Sequence, residues 1–306
     1  MFISNIGNGR HKYYHYLATI IITLIVMQLV GAIPLLITIF LEIDKRPFTP
    51  ELFEQIANSI SGNLIVLFTG ISFLAAFGVF IFCIRYIHKQ TVTSIITYRN
   101  KIDFQRIGWG LLVVVLFRIP LFLIELYIYG DSLKWNFEFN NFFFLLLICI
   151  FFIPIQAGLE EVFFRGYLLK VFNRKYKKKY LSVFITSILF TVLHFANPEA
   201  ISFGWSMIAF YFLTALFLAL ITIFDNGTEL AIGVHAGINI FTLLTITSEW
   251  SSFNTSALYL NSSRNAFELD ILLLTLVIYP IIFFIFAKKF DWKLSKKTSN
   301  TKQWKS

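Results

Sequence analysis

The sequence predicts an all-α protein: a polytopic membrane helix bundle of about eight transmembrane helices. Three observations predict it. Hydrophobic residues fill 57% of the 306 positions and charged residues only 14%, at a mean hydropathy of +0.73; a soluble domain could not bury that much apolar surface. Apolar runs near the 20-residue spanning length recur at about 17–41, 63–87, 107–129, 143–169, 181–196, 205–224, 230–247 and 270–288. Lys and Arg are unevenly shared between the connecting segments. Twenty lie in the N-terminus, the loops after the second and fourth runs and the tail, whereas only Lys45, Arg46, Lys134 and Arg264 lie in loops of the opposite parity.

Basic loops stay in the cytosol, so this asymmetry predicts an integral membrane protein of the cell membrane with N- and C-termini cytosolic. An even number of spans predicts the same. The net charge of +9 is thereby a matter of topology. It calls for the lipid bilayer as partner, with anionic lipid under the tail, and for no nucleic acid.

Taken in order, the first run is too long for a signal-peptide core and lacks a small-residue cleavage site, so it reads as a retained span. FTPELFEQIANSI, 48–60, reads as a short amphipathic helix on the outer surface. KWNFEF, 134–139, alternates polar and aromatic residues and fits an interfacial segment, with Trp135 in the headgroup belt. Cys83 and Cys149 sit in apolar runs and read as inert packed or lipid-facing residues, with no disulfide. Asp225-Asn-Gly reads as a turn. Three parts are expected: N-terminal transmembrane helices over 1–140, central helices interrupted by polar residues over 141–250, and a last helix with a basic, disordered cytosolic tail over 251–306. The chain shows no internal repeat of the kind that marks inverted-repeat transporters.

The fourth run breaks the apolar pattern with GLEEVFFRG, Gly158–Gly166. A charge at the bilayer centre costs about 2.5–3.5 kcal/mol, so Glu160, Glu161 and Arg165 must face the bundle interior. Glu161 and Arg165 stand four apart and share a helix face, which predicts an ion pair. Glu160 is turned about 100° away and is left to act elsewhere. Gly158 and Gly166 would let a neighbouring helix come close. The same one-turn spacing recurs in Phe190-xxx-His194 on the fifth run and His235-xxx-Asn239 on the seventh. Arg118 is read as snorkelling or paired with Glu125. Counted from the flanking basic loops, Glu160 lies roughly 15 Å deep, His194 roughly 20 Å and His235 roughly 10 Å, so the set can meet in the cytosolic half of the bundle.

A Glu and a His on one point can activate water as a general base, while a second His and an Asn can stabilise an oxyanion. Glu160, His194 and His235 are equally a zinc-hydrolase ligand set. The residues leave both readings open.

Glu160-Glu161-xxx-Arg165, Phe190-xxx-His194 and His235-xxx-Asn239, in this order, resemble the CAAX protease and bacteriocin-processing family (CPBP, also called Abi) of intramembrane proteases. The resemblance covers about residues 143–247, with Gly108-Trp-Gly110 a familiar opening to the third span. It implies an eight-helix intramembrane fold whose site opens toward the cytosolic side. It also implies that Glu160 and His194 activate water, that His235 and Asn239 form the oxyanion site, that Glu161 and Arg165 support the motif, and that Phe190 packs beside it. The substrate it implies is a membrane-embedded or lipid-anchored peptide. The family carries both metalloprotease and metal-free glutamate-protease descriptions. No cofactor is favoured here, and Zn2+ is the second reading. The chain departs from the family pattern in two places, with Ile240 where many members have a second Asn and Gly227-Thr-Glu-Leu230 where many have Gly-Ser-Leu-Trp. Two other functions compete. A proton-coupled transporter would use Glu160 and the histidines as a relay. A non-catalytic scaffold or immunity protein would keep the fold alone.

Overall fold

The computed structural model describes residues 2–4, 9–43, 49, 51, 55–56, 59–248, 250–262 and 271–293. Most of the 48–60 stretch and the tail beyond 293 lie outside the described residues.

Helices occupy every apolar run. They are α1 (Tyr13–Ile43), α2 (Gly62–Phe82, carried on by a π-turn over Cys83–Ile87), the short α3 (Val92–Ile96) and α4 (Phe104–Tyr129). Next come α5 (Phe139–Glu161), which runs through a π-helical segment Val162–Leu168 into α6 (Leu169–Tyr176), then α7 (Lys179–Leu193) and the short α8 (Pro198–Phe203). Last are α9 (Trp205–Asp225), α10 (Glu229–Thr245) and α11 (Tyr279–Lys289), the last preceded by a π-turn over Leu273–Ile278. Among the described residues, five helical segments are long and apolar enough to cross a membrane, with α7 and α10 shorter. At 1.5 Å per residue, α7 reaches only about 22 Å and α10 about 25 Å, against a hydrocarbon core of about 30 Å.

Local chemistry sets the boundaries. Asp103 caps α4 by accepting from the backbone N–H groups of Gln105 and Arg106, at 3.1 and 3.3 Å, which uses two of a helix's orphan donors. Asn226 ends α9 in the left-handed region (φ 58°), a conformation Asn tolerates better than most residues. Asp225-Asn-Gly is thus a turn, but Asp225 itself is buried. Its carboxylate is held by Arg99 at 3.1 Å and by Arg106, and accepts from Trp292 Nε1 at 3.3 Å.

The bundle has two chemically different ends. At one, Thr228 N–H donates to Ile96 O (2.8 Å), Arg10 N–H to His88 O (2.6 Å) and Lys170 Nζ to Ser94 O (2.5 Å). These bonds gather the N-terminal segment, the loops around 88–103 and 170–179, and the end of α11; this is the basic end. At the other, the chain leaving α4 and the chain leaving α10 form a small sheet in the order β1 (Leu133–Trp135), β3 (Tyr259–Asn261), β2 (Ile246–Ser248). KWNFEF is therefore in part a strand, paired antiparallel so that Trp135 faces Tyr259. Its pairing is invisible to a local reading, because its partner lies over 120 residues away. Asn63 Nδ2 ties α2 into this sheet end through Asn141 O (3.0 Å) and Ser256 Oγ (3.2 Å).

Two of the five apolar clusters among the described residues carry most of the packing around the site. One joins α4, α9, α10 and α11 through Val114, Leu218, Ile221, Val234 and Ile282. The other joins α2, the π-segment and α7 through Phe80, Phe164 and Phe190. The face of α1 carrying Ile25, Leu29, Leu36 and Phe40 stays uncovered, as a lipid-facing helix should. α4 and α10 meet backbone to backbone: a Cβ on Gly233 would fall on Ile107 O, and one on Gly110 on Leu230 O. Gly166 likewise lets Ile95 O approach, whereas Gly158 only carries the ring of Phe77 at ordinary contact. Cys83 and Cys149 are free and buried.

His88, one residue past the second apolar run, is fully buried. Its Nδ1–H donates to Arg10 O (2.9 Å), so Nε2 accepts from the hydroxyls of Tyr167 (2.8 Å) and Thr19 (3.1 Å). Burial, with His15 and His11 nearby, pushes its pKa below the ordinary 6.5. The folded chain thus holds His88 neutral while the unfolded chain protonates it. Stability from this group is present above pH 6.5 and is lost as pH falls below that value. Thermal denaturation in detergent should show a drop in melting temperature on acidification that is smaller in His88→Gln.

Candidate active site

The site grows from three helices that the sequence spaces far apart. On α5, Glu161 is the last residue before the π-segment, and Arg165 lies inside it. π-turns often mark functional positions in helices. The expected pair forms: Arg165 Nη1 donates to Glu161 Oε1 at 2.8 Å, and Nη2 donates to Ala215 O on α9 at 3.2 Å. Both side chains are almost completely buried, at 1% and 0% exposure.

Glu161 has a second partner that the spacing could not reveal. His235 Nδ1, arriving on α10, donates to the same Oε1 at 2.8 Å. Nε2 of that ring is 3.6 Å from Glu160 Oε2. The two adjacent glutamates therefore take the two nitrogens of one imidazole. Glu161 is buried on the protein side, and Glu160 lines a cavity.

His194 sits just past the last residue of α7, where the helix stops short of the sheet end. Its Nδ1 contacts Phe190 O at 2.7 Å. A carbonyl can only accept, so Nδ1 carries the proton and Nε2 is left as an acceptor in the neutral ring. Phe190 is the common wall. It stacks on His194 (ring centres 4.3 Å apart), meets His235 edge-on (6.1 Å) and carries the Arg165 guanidinium on its face (4.6 Å), a favourable place for a buried cation.

Glu160, His194, His235 and Asn239 all line one partly open cavity of about 220 Å³. Asn239 shares the His235 face of α10, one turn on. Sequence reasoning missed several other lining residues. Gln156 stands one turn before Glu160, and Tyr211 on α9 packs its ring 4.8 Å from His194 and accepts from Asn197 Nδ2 at 3.2 Å. Gln156 carried a usable signal, as a polar residue four before Glu160 in an apolar helix. Tyr211 carried none. Arg118 does not snorkel. It is buried, lines this cavity, and lies 5.2 Å over the ring of Phe241; Glu125 is buried with it along the wall of a second cavity, to which Arg118 also contributes.

The cavity runs from Glu160 and His235 toward the sheet end, where Ile246, Ser252 and Thr255 line it. Toward the basic end Leu218, Leu230, Ala231 and Val234 are fully buried and fill the space.

As a zinc site the set fits poorly. Among the described residues no three His, Cys, Asp or Glu side chains converge as metal ligands; Nδ1 of each histidine is held by Phe190 O or Glu161, so only Nε2 of each ring faces the cavity chemistry.

Residues 139–241, which contain every residue of the three motifs, match the family described as "Type II CAAX prenyl endopeptidase Rce1-like". The chain is also similar to "Uncharacterized protein YyaK" of Bacillus subtilis (strain 168), with 35% identity over 176 residues. That alignment covers 56% of this chain and 57% of the relative, so it spans little more than half of either. No solved structure matches the chain. From the first residue of α5 to Phe241 on α10, the chain is similar to the Rce1-like CAAX endopeptidase family.

Proposed function

We propose that the chain is an intramembrane endopeptidase that hydrolyses a peptide bond in a membrane-embedded or lipid-anchored substrate. One observation carries the reading: Glu160, His194, His235 and Asn239 line a single cavity, with Nδ1 of each imidazole fixed by a different acceptor. In the reaction, Glu160 takes a proton from a water that His194 Nε2 orients, and the hydroxide attacks the amide carbonyl. His235 Nε2 and the Asn239 amide donate to the developing oxyanion. For Nε2 to donate, the His235 ring carries both protons; Glu161 at one nitrogen and Glu160 at the other supply the countercharge. Glu160 then returns its proton to the departing amine.

All eight apolar segments would cross the membrane with the basic end in the cytosol. The collection of Arg10, Lys89, Arg99, Lys170 and Lys289 segments at one end, against Lys134 at the other, supports this.

Purified full-length protein in detergent should cleave members of a fluorogenic peptide panel, at a rate unchanged by a chelator. His194→Gln should lower that rate about 10²–10⁴-fold, the usual share of a positioned acid–base group. A panel left uncut would remove the peptidase reading. Activity that vanishes with chelator and returns with Zn2+ would replace the metal-free mechanism.

A further inference from the structure

α5 and α10 run antiparallel beside the cavity. α5 starts just after β1 and reaches Glu160 one residue before its end, whereas α10 passes His235 first and ends at β2. The contacts of His235 with Glu160 (3.6 Å) and Glu161 (2.8 Å) set the level at which the two helices meet. Four residues back along α5 stands Gln156, and four residues on along α10 stands Asn239. Each step is one helical turn, about 6 Å, on the same face, and because the helices are antiparallel both steps go the same way. Gln156 and Asn239 both line the cavity. Two carboxamides therefore stand level on neighbouring walls, one turn from the Glu160–His235 pair.

Neither amide has a hydrogen-bond partner among the described residues, and both open onto the cavity. Other polar groups of the lining are committed: Thr214 to Tyr279 (3.0 Å), Tyr211 to Asn197 (3.2 Å). A carboxamide left without a partner at membrane depth is costly, so Gln156 points to something that enters. A peptide drawn into this space leaves water, and each of its backbone N–H and C=O groups then needs a partner. Asn239 and His235 serve the carbonyl under attack. The next peptide unit lies about 3.8 Å along the chain and needs a donor and an acceptor side by side. The Gln156 carboxamide offers both in one plane, whereas apolar lining residues such as Ile238, Leu243 and Phe253 offer neither.

We propose that Gln156 is the main-chain anchor of the substrate: its NH2 group donates to the C=O, and its oxygen accepts from the N–H, of the peptide unit adjoining the bond that is cut. The anchor reads backbone rather than side chain. It fixes which bond is presented to Glu160 while tolerating varied sequence, and it excludes proline from the anchored unit, because proline has no N–H to give. The proposal rests on Glu160 being the hydrolytic centre, but the anchor can also be tested by binding alone.

The test compares full-length protein with Gln156→Leu, or with Gln156→Met should the first fail to fold. The substrates are one readily cut apolar peptide and two analogues, each with an ester oxygen in place of the N–H of one peptide unit flanking the cut, products being identified by mass. On the all-amide peptide Gln156→Leu should lower kcat/KM about tenfold to a hundredfold, chiefly by raising KM, as when a buried peptide group loses its partner. On one of the two analogues the same substitution should cost less than about threefold, because the N–H it served is already gone. An equal loss on all three substrates, or a loss in kcat alone, would place Gln156 at the reacting carbonyl and overturn the anchor; so would undiminished cleavage. If the wild-type protein cuts no peptide, the hydrolytic reading fails, and fluorescence anisotropy of the same three peptides, labelled with fluorescein, decides the anchor. Weaker binding of the all-amide peptide to Gln156→Leu, with one analogue unaffected, supports it; unchanged binding, or no binding to either protein, overturns it.

Discussion

Glu160→Gln is expected to lower kcat/KM about 10²–10⁴-fold, the contribution of a positioned general base, with an unchanged melting temperature. The separation of effects follows from position. Glu160 lies outside the buried Glu161–Arg165 pair, its side chain is 13% exposed toward the cavity, and its ionic contact is with His235 Nε2 at 3.6 Å. Gln keeps the shape and loses the basic oxygen. The fold therefore has little to lose, while water activation loses its proton acceptor. Kinetics on the most readily cleaved peptide, beside thermal denaturation in detergent, check both halves. Undiminished cleavage by Glu160→Gln would sink the assignment of the base.

The opposite pattern is expected one residue on. Glu161→Leu should destabilise the protein by about 3–5 kcal/mol, as when one partner of a buried ion pair is removed. Arg165, at 1% exposure, would be left with a carbonyl and a ring face but no hydrogen-bonded carboxylate. The double variant Glu161→Leu with Arg165→Met removes both charges and should regain much of that stability, since apolar replacement of a whole buried pair is often tolerated. It should not regain activity, because His235 Nδ1 has still lost its acceptor. The melting temperatures of the single and double variants, with their cleavage rates, test the two roles of Glu161 separately. Activity restored together with stability would reduce Glu161 to a structural residue.

The readable parts of this chain are those that one helix decides alone. Five of the spans, the Glu161–Arg165 pair and the shared face of His235 and Asn239 all follow from periodicity and appear as expected, whereas α7 and α10 are shorter than a span. What was hidden needed the third dimension. The Glu161–His235 hydrogen bond joins residues 74 apart, so spacing on a single helix cannot show it. Asp225 looked like a turn residue because it sits at a span end, yet other segments fold over it and bury it, as they bury His88. The direction of the cavity depends on where small apolar residues pack closely between helices, and composition is silent on that.

The contact of α4 with α10 through Gly110 and Gly233 has a bearing on substrate size. Where two main chains touch, neither helix can slide outward and back cheaply, so the wall carrying His235 and Asn239 behaves as a fixed jaw. The opposite wall is built from side chains of α7 and α9 and from the 251–255 segment, which can change rotamer one at a time. Accommodation of bulkier peptides should therefore arise on the Tyr211 side, and selection for altered cleavage preference should accumulate changes there before it touches the glycines.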